Sequence, residues 1–328
     1  MKSYTKNIIA MMLSITLVFT IPLIFTQEAS AASTGTKLYR PVKVVYKDSS
    51  GVTNEKITYK YNKKGLCSEV TDSDHKSVYT YNKKGLVKSW KNYDKDGKQF
   101  AKAKNVIKNG KVAATEYYNL VNGNAVLDNT TTYKYKNGKK STETMVLSDG
   151  NAKHVITYRA NGTKKKDVYS TLHHTEKETY DKQGNSTSRV YNSADRNYIR
   201  QTSYKNTYKK GKLVKKTYTQ TDPDGTVYEK GKITYTYKKG RLAKSVFTAD
   251  PANKAYTYVA KETVKYTYNK AGLLTKKVRK TVEKSPTEGT LSRTQTITIK
   301  YKKLKVDKKV KKAVTEAAEE FAKRYMPF

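Results

Sequence analysis

A short motif, Tyr-Asn/Asp-x-x-Gly, recurs along most of the chain and limits the folds that it can adopt. Asn or Asp can hydrogen-bond the backbone two residues further on, and glycine takes the positive φ that ends a tight turn. The motif therefore predicts turns that join antiparallel strands. Its copies lie at residues 61–66, 81–86, 93–97, 180–184 and 268–273, with a weaker copy at 158–162 and shorter forms at 135–138, 208–211 and 237–240.

The residues that flank the motif alternate with a period of two. Ile57, Tyr59 and Tyr61 share one face, and Thr and Lys occupy the other, which is typical of a half-buried strand. Turn glycines 12 to 15 residues apart between residues 97 and 162 match one strand plus one turn. The wider gaps after Gly162, Gly184 and Gly240 predict longer strands or looser loops. The pattern predicts an all-β fold, a long antiparallel meander of hairpins in an open or rolled sheet.

The repeated motif resembles the YD repeat of the Rhs family of bacterial surface and toxin proteins. The resemblance covers roughly residues 57–300. It implies a long antiparallel sheet, which in that family can wind into a shell. The chain has far fewer repeats than the large members and no room for an enclosed toxin, so toxin delivery is not implied. Residues 222–225, Asp-Pro-Asp-Gly, are interpreted as a turn rather than as the family's self-cleavage motif.

The two ends of the chain differ from the repeats. Residues 1–31 read as a signal peptide, with Lys2 and Lys6 before an apolar run and Ala-Ser-Ala at 29–31; an uncleaved membrane anchor is the alternative. Residues 304–328 switch to helical spacing, with Asp307 as the expected N-cap. The predicted domains are thus 1–31, a hairpin repeat domain at 32–303 and an amphipathic helix at 304–328. The helix is expected to cover an exposed sheet end; a membrane-surface helix is the alternative.

Positive charge dominates the composition. Lys and Arg number 67 against 28 Asp and Glu, and without residues 1–31 the formal net charge is +38. Solubility needs far less charge, and a field of this size attracts polyanions. Lysines gather at the predicted turns, and eight of them are the candidate polyanion-binding residues: Lys63, Lys64, Lys83, Lys84, Lys209, Lys210, Lys238 and Lys239. Five glycines are the candidate structural turn residues: Gly65, Gly85, Gly97, Gly184 and Gly272.

Residues that would support catalysis or cofactor binding do not form any motif. The four histidines have no metal-ligand spacing, and no nucleophile elbow, phosphate loop or dinucleotide fingerprint occurs. His173 and His174 are expected on opposite strand faces, and Asp94-Lys95-Asp96-Gly97 is a turn rather than a calcium loop. Cys67, the only cysteine, is expected to be a packing residue in a strand, with a reactive thiol or intermolecular link as the alternative. We expect no enzyme, no cofactor and no metal.

The sequence therefore predicts a secreted, non-enzymatic repeat protein of a Gram-positive cell envelope. It would be retained at the wall by lysine-rich rows that bind anionic polymers such as teichoic acid. The alternatives are an adhesin or matrix protein that binds glycosaminoglycans or extracellular DNA, an accessory part of an Rhs-like toxin system, and a hydrolase with a carboxylate pair. Membrane contact is expected only through an uncleaved signal segment.

Overall fold

A computed structural model describes residues 37–195, 198–252, 254–255 and 257–325; the predicted signal peptide lies outside them. The described chain forms twenty strands and a C-terminal helix, α1 (Lys311–Tyr325), preceded by a 3-10 turn (Lys308–Val310). The strands are β1 (Lys37–Lys47), β2 (Thr53–Tyr61), β3 (Cys67–Thr71), β4 (His75–Tyr81), β5 (Val87–Asp94), β6 (Gln99–Lys108), β7 (Lys111–Val121), β8 (Asn124–Lys136), β9 (Lys139–Leu147), β10 (Ala152–Tyr158), β11 (Lys164–Thr171), β12 (His174–Tyr180), β13 (Ser186–Ser193), β14 (Tyr198–Lys209), β15 (Lys212–Thr221), β16 (Val227–Lys238), β17 (Arg241–Pro251), β18 (Tyr258–Tyr268), β19 (Leu274–Ser285) and β20 (Gly289–Lys305).

Every strand pairs antiparallel with the next, and the first strand pairs with the last. The β1–β20 pairing runs from Lys37↔Lys305 to Lys47↔Thr296, so the meander closes into a barrel. The prediction of an open or rolled sheet was therefore wrong. Closure removes both sheet edges, whose unpaired backbone groups would otherwise invite association. The expectation that the helix covers an exposed sheet end fails for the same reason.

The two faces of the closed sheet differ in burial. Trp90, Ala103 and Tyr117 lie opposite one another on β5, β6 and β7 and are at most 5% exposed. The next pair along β5 and β6, Lys91↔Lys102, points to the other face of the sheet. Among the elements that the structure describes, none forms a second layer over this part of the sheet, so its buried side chains face the space that the barrel encloses. A larger cluster of the same kind contains Val44, Leu213, Tyr235, Leu242, Val264, Tyr266, Leu274, Ile297 and Ile299.

Hydrogen bonds in the turns account for the motif. Asn62 Oδ1 accepts from the backbone N–H groups of Lys64 (3.0 Å) and Leu66 (3.1 Å), as the Asn position predicts. The three wide glycine gaps hold two strands each, and no glycine occurs between Thr171 and His174, between Ser193 and Tyr198, or between Pro251 and Tyr258. The turn at residues 222–226, by contrast, has the glycine form, with Gly225 N–H donating to Asp222 O (3.0 Å).

Five of the motif tyrosines, and Tyr301 outside the motif, connect one hairpin to the next. Between β17 and β18 the backbone ladder stops at Lys244↔Lys265, short of the turns, and the Tyr268 hydroxyl then donates to Leu242 O (2.9 Å). This contact satisfies a carbonyl that has lost its ladder partner. Equivalent hydrogen bonds join Tyr61 to Pro41 O, Tyr81 to Cys67 O, Tyr135 to Val112 O, Tyr237 to Leu213 O and Tyr301 to Leu274 O.

Helix α1 packs on two turns and on the inner face. Val310 and Val314 are at most 1% exposed, and Phe321 makes edge-to-face contacts with Tyr59 and Tyr301. Asp307 is the N-cap, as predicted, and its side chain accepts from Lys309 N–H (2.8 Å) at the start of the 3-10 turn. Within the described ranges, no helix is long and apolar enough to cross a membrane.

Candidate polyanion-binding rim

Antiparallel order places alternate turns at opposite ends of the barrel. The end that carries the β2–β3, β4–β5 and following even–odd turns is called the basic rim, and the other end the acidic rim. The described turns of the basic rim contain one acidic residue, Asp181, against nine basic ones. These are Lys63, Lys64, Lys83, Lys84, Arg159, Lys182, Lys210, Lys239 and Lys270.

The turns of the acidic rim have the reverse composition. The described ones contain three basic residues, Lys95, Lys98 and Lys254. Their acidic residues are Asp48, Asp72, Asp74, Asp96, Asp149, Asp195, Asp222, Asp224 and Glu288. The barrel therefore has a strong charge asymmetry along its axis.

All eight candidate lysines lie at the basic rim. Lys63–Lys64 and Lys83–Lys84 occupy neighbouring turns, and Lys209–Lys210 and Lys238–Lys239 occupy another neighbouring pair of hairpins. All eight are exposed, and none forms an ion pair with a carboxylate of the described residues. The structure thus collects them at one end of the molecule as two groups.

The five candidate glycines lie in turns at φ between 80° and 87°. Four belong to the basic rim, and Gly97 belongs to the acidic rim. Gly65 and Gly85 lie beneath the C-terminal segment, where an added Cβ would meet Val306 Cγ2 at 2.9 Å and Val310 Cβ at 3.0 Å.

Like charges face each other across the two-residue turns of the basic rim. Four such turns are each bracketed by a directly opposed cation pair: Lys108↔Lys111, Lys136↔Lys139, Lys209↔Lys212 and Lys238↔Arg241. Directly opposed like charges destabilise a strand pair. The two-residue glycine turn at residues 122–123 of the acidic rim is bracketed instead by Val121↔Asn124.

Two of the candidate lysines also occupy a backbone conformation that lysine disfavours. Lys210 and Lys239 have φ of 50° and 49°, in the left-handed region, where the equivalent turns have Asn109, Asn122 and Asn137. This conformation costs a residue with a Cβ about 1–2 kcal/mol, and asparagine tolerates it better. Lys210 and Lys239 therefore add positive charge to the basic rim but lower the free energy of unfolding.

The C-terminal segment adds four more lysines to this rim. Asp307 N–H donates to Lys64 O (3.2 Å), which places the start of the helix over the two turns. We call the eight lysines that meet here the lysine patch: Lys63, Lys64, Lys83, Lys84, Lys308, Lys309, Lys311 and Lys312. All eight are exposed. A cavity of about 370 Å³ opens beside them, lined by Asn62, Lys63, Lys64, Leu66, Tyr79, Thr80, Tyr81 and Asn82.

The ion pairs of the barrel are concentrated on the inner face. Lys140 and Glu143 pair at 2.8 Å with side chains 8% and 9% exposed, and Tyr158 Oη donates to the same carboxylate (3.1 Å). Further pairs join Lys164 to Asp167, Arg189 to Glu176 and Arg279 to Glu262. The carboxylates of the inner face thus pair with cations of the same face, and the excess of positive charge lies on the outer face and at the basic rim.

The remaining predicted residues have ordinary structural surroundings. Cys67 lies in β3, and burial raises the pKa of its thiol to about 11. His173 lies in a turn beside Asp195 rather than on a strand, whereas His174 contacts the rings of Tyr169 and Tyr191. Asp94 Oδ1 accepts from two backbone N–H groups of its turn. Among the described residues, no group of three or more His, Cys, Asp or Glu side chains is placed to hold a metal ion.

Sequence reasoning missed the tyrosine bridges between hairpins, the acidic rim and the part that the helix plays in the lysine patch. The acidic rim had a usable signal. Assigning alternate turns to alternate ends of an antiparallel meander separates the Asn-Lys turns from the Asp turns, apart from the turn at Asp181, without any coordinates. No comparable signal places α1 over the β2–β3 and β4–β5 turns.

Comparison with known proteins gives only distant similarity. No protein-family model matches the sequence, and no curated protein matches it. A chain in a crystal structure of TcdB2-TccC3-Cdc42 is similar over 78% of this protein, at 11% identity and a TM-score of 0.42; the match spans 15% of that chain. A porin-like protein from Bacteroides uniformis is similar over 79% of this protein and 96% of its own length, at 11% identity and a TM-score of 0.35. At these values the similarities assign no function.

Proposed function

We propose that this is an exported, non-enzymatic protein of the bacterial cell envelope that binds anionic polymers through its basic rim. The observation that carries the proposal is the separation of charge between the two rims, with exposed, unpaired lysines gathered at one of them. Their opposed pairs and left-handed backbone positions cost stability, and a bound anion would relieve the repulsion. Export rests on residues 1–31, and retention in a Gram-positive wall on the anionic polymers found there.

The chemistry of the rim favours phosphodiester polymers such as teichoic acid. Lysine is a compact point charge that contacts phosphate without the bidentate geometry of arginine. A row of lysines can contact the regularly spaced phosphates of such a polymer, but it distinguishes little else in the polymer's structure. Binding should therefore fall steeply with salt, because each neutralised phosphate releases counterions.

The test measures affinity for poly(glycerol phosphate) over a range of salt concentrations. Lys63→Gln/Lys64→Gln should weaken binding about tenfold or more, since a lysine near an anionic surface contributes about 1 kcal/mol. The same variant should flatten the salt dependence. Lys95→Gln/Lys98→Gln removes the same charge from one turn of the acidic rim and should leave both the affinity and its salt dependence nearly unchanged.

Three results would contradict the proposal. The first is binding that persists unchanged in high salt, and the second is equal loss in the two variants. The third is preferential binding of heparin or single-stranded DNA, which would move the function to glycosaminoglycans or extracellular DNA.

A further inference from the structure

Helix α1 begins in electrostatically unfavourable surroundings. The N-terminal end of a helix carries partial positive charge, so cations there are destabilising and anions are stabilising. The first turn of α1 has no acidic residue, and Lys308, Lys309, Lys311 and Lys312 surround it. Against these four cations stands the single carboxylate of Asp307, which caps the preceding 3-10 turn. The other four lysines of the lysine patch lie in the β2–β3 and β4–β5 turns directly below.

Apolar contacts oppose this repulsion. Val306, Val310 and Val314 are at most 3% exposed, and they pack with Leu66 and Tyr81. Further along, Arg40 Nη1 donates to Val314 O (2.6 Å), and Arg40 is 4% exposed with no carboxylate of the described residues within ion-pair distance. The helix is thus held by its apolar side and repelled at its N-terminal end.

We infer that the first turn of α1 is part of the anion-binding site, so that binding of a phosphate polymer at the lysine patch locks the helix onto the basic rim. This inference rests on the proposed function and adds a conformational response to it. A ligand that binds the docked helix better than the released one shifts the equilibrium toward docking by its difference in affinity. The polymer would neutralise the turn lysines and the helix lysines together, and only the docked state brings both sets into reach.

The experiment follows hydrogen exchange of the backbone amides of residues 311–321 in the full mature chain, with inorganic polyphosphate as the probe. At a concentration 100 times the Kd, exchange through helix release should slow by up to about 100-fold, because polymer bound only to the docked state suppresses release in that proportion. Amides of β8 and β9, on another part of the barrel, serve as the internal reference.

Two variants with the same charge change separate the possibilities. Lys308→Gln/Lys309→Gln/Lys311→Gln/Lys312→Gln should slow exchange of the helix without polymer, because the repulsion is gone, and should respond little when polymer is added. The matched control, Lys230→Gln/Lys232→Gln/Lys261→Gln/Lys265→Gln, removes exposed lysines from β16 and β18 and should behave like the unmodified chain.

The outcomes distinguish this inference from the proposed function. If polyphosphate binds the unmodified chain and the helix variant equally well and leaves helix exchange unchanged, the inference is wrong and the proposed function stands. If the unmodified chain binds neither polyphosphate nor poly(glycerol phosphate) at low salt, both are wrong. Lys→Arg replacements at the same four positions keep the charge and should restore the original behaviour, which excludes a general effect of the substitutions.

Discussion

The two rims of the barrel use one turn geometry with opposite charge. Asn62 on the basic rim and Asp94 on the acidic rim both accept two backbone N–H groups through Oδ1, and both turns end in a glycine near φ 80°. Either side chain satisfies the turn, so folding alone does not decide between them. Of the basic-rim turns of this form, three have Asn at this position (Asn62, Asn82 and Asn269), one has Asp181 and one has Arg159, whereas acidic-rim turns of the same form have Asp48, Asp94 and Asp222.

The repeated turn residues therefore determine the fold, whereas the variable positions of the repeat determine the charge of each end of the barrel. On the acidic rim the aspartates also interact locally: hydrogen bonds from Ser50 and neighbouring backbone amides lower the pKa of Asp48. Among the described residues, the exposed lysines in the turns of the basic rim form no ion pair with a carboxylate. The acidic rim therefore satisfies part of its charge through its own turns, whereas the basic rim keeps an excess of exposed positive charge.

The largest effect should come from alkaline pH, which acts on the tyrosines of the basic rim. Burial raises the pKa of Tyr268 and of Tyr301 to about 12, above the value near 10 of an unfolded tyrosine. Their contribution to stability is complete below pH 10 and is lost between about pH 10 and 12, because the unfolded chain releases these protons first. Urea unfolding at increasing pH, read together with phenolate absorbance, should show stability falling as phenolate appears.

Lysine deprotonation in the same range reduces repulsion and has the opposite sign, so the absorbance is needed to separate the two effects. Full titration of the tyrosines near pH 10 in a protein that stays folded would contradict the prediction. It would also mean that the bridges between hairpins contribute little at the basic rim.

Glycine replacement compares the rims directly. Gly85→Ala and Gly97→Ala place the same Cβ at nearly equal positive φ, at a conformational cost of about 1–2 kcal/mol each. At Gly97 nothing lies within 4 Å of the new atom, whereas at Gly85 it meets Val310 beneath the helix. Chemical unfolding should show an additional loss of about 1–3 kcal/mol for Gly85→Ala. Equal losses would mean that the helix does not press on the basic rim.

The fold could be predicted from the sequence only as far as local interactions determine it. The turns, the period-two strands and the helix with Asp307 as its N-cap depend on nearby residues, and the sequence analysis identified them. Closure depends on β1, which lacks the motif and contains Pro41, a residue that usually marks an edge strand. A register shift between Pro41 and Lys43 accommodates the proline and lets β1 pair with β20. Such long-range pairing leaves no local pattern to read.

The candidate site was predictable to a similar degree. The eight lysines were identified as clusters at turns, and their placement on a common rim follows once the strands are known to be antiparallel. The lysine patch needed the position of α1, which is fixed by contacts of Val306 and Val310 with glycines far away in sequence. Whether these lysines bind a polymer stays a prediction.

Removal of one bridging hydroxyl should have a moderate effect. Tyr268→Phe leaves Leu242 O without the hydroxyl donor that replaces its ladder partner, which should cost about 1–2 kcal/mol of unfolding free energy. Tyr39→Phe is the matched control, because Tyr39 is 43% exposed and its ring contact with Lys303 survives the change. Urea unfolding of both variants measures the difference. Similar values would show that the bridges do not stabilise the basic rim.

The smallest effect should differ in sign between the rims. Lys136→Glu places a carboxylate opposite Lys139 and turns a repulsive pair into an attractive one, so stability should rise by about 0.2–1 kcal/mol. Lys95→Glu makes the same charge change on the acidic rim, but it removes the contact with Asp96 (2.8 Å) and adds a like charge, so stability should fall slightly. Chemical unfolding at low salt measures both, and added salt should shrink both. If the basic rim carries its lysines for a ligand, the stabilised Lys136→Glu variant should also bind poly(glycerol phosphate) less tightly, whereas Lys95→Glu should change binding little. A Lys136→Glu variant that gains stability and keeps its affinity would separate the charge of this turn from binding, and would confine the site to the lysine patch.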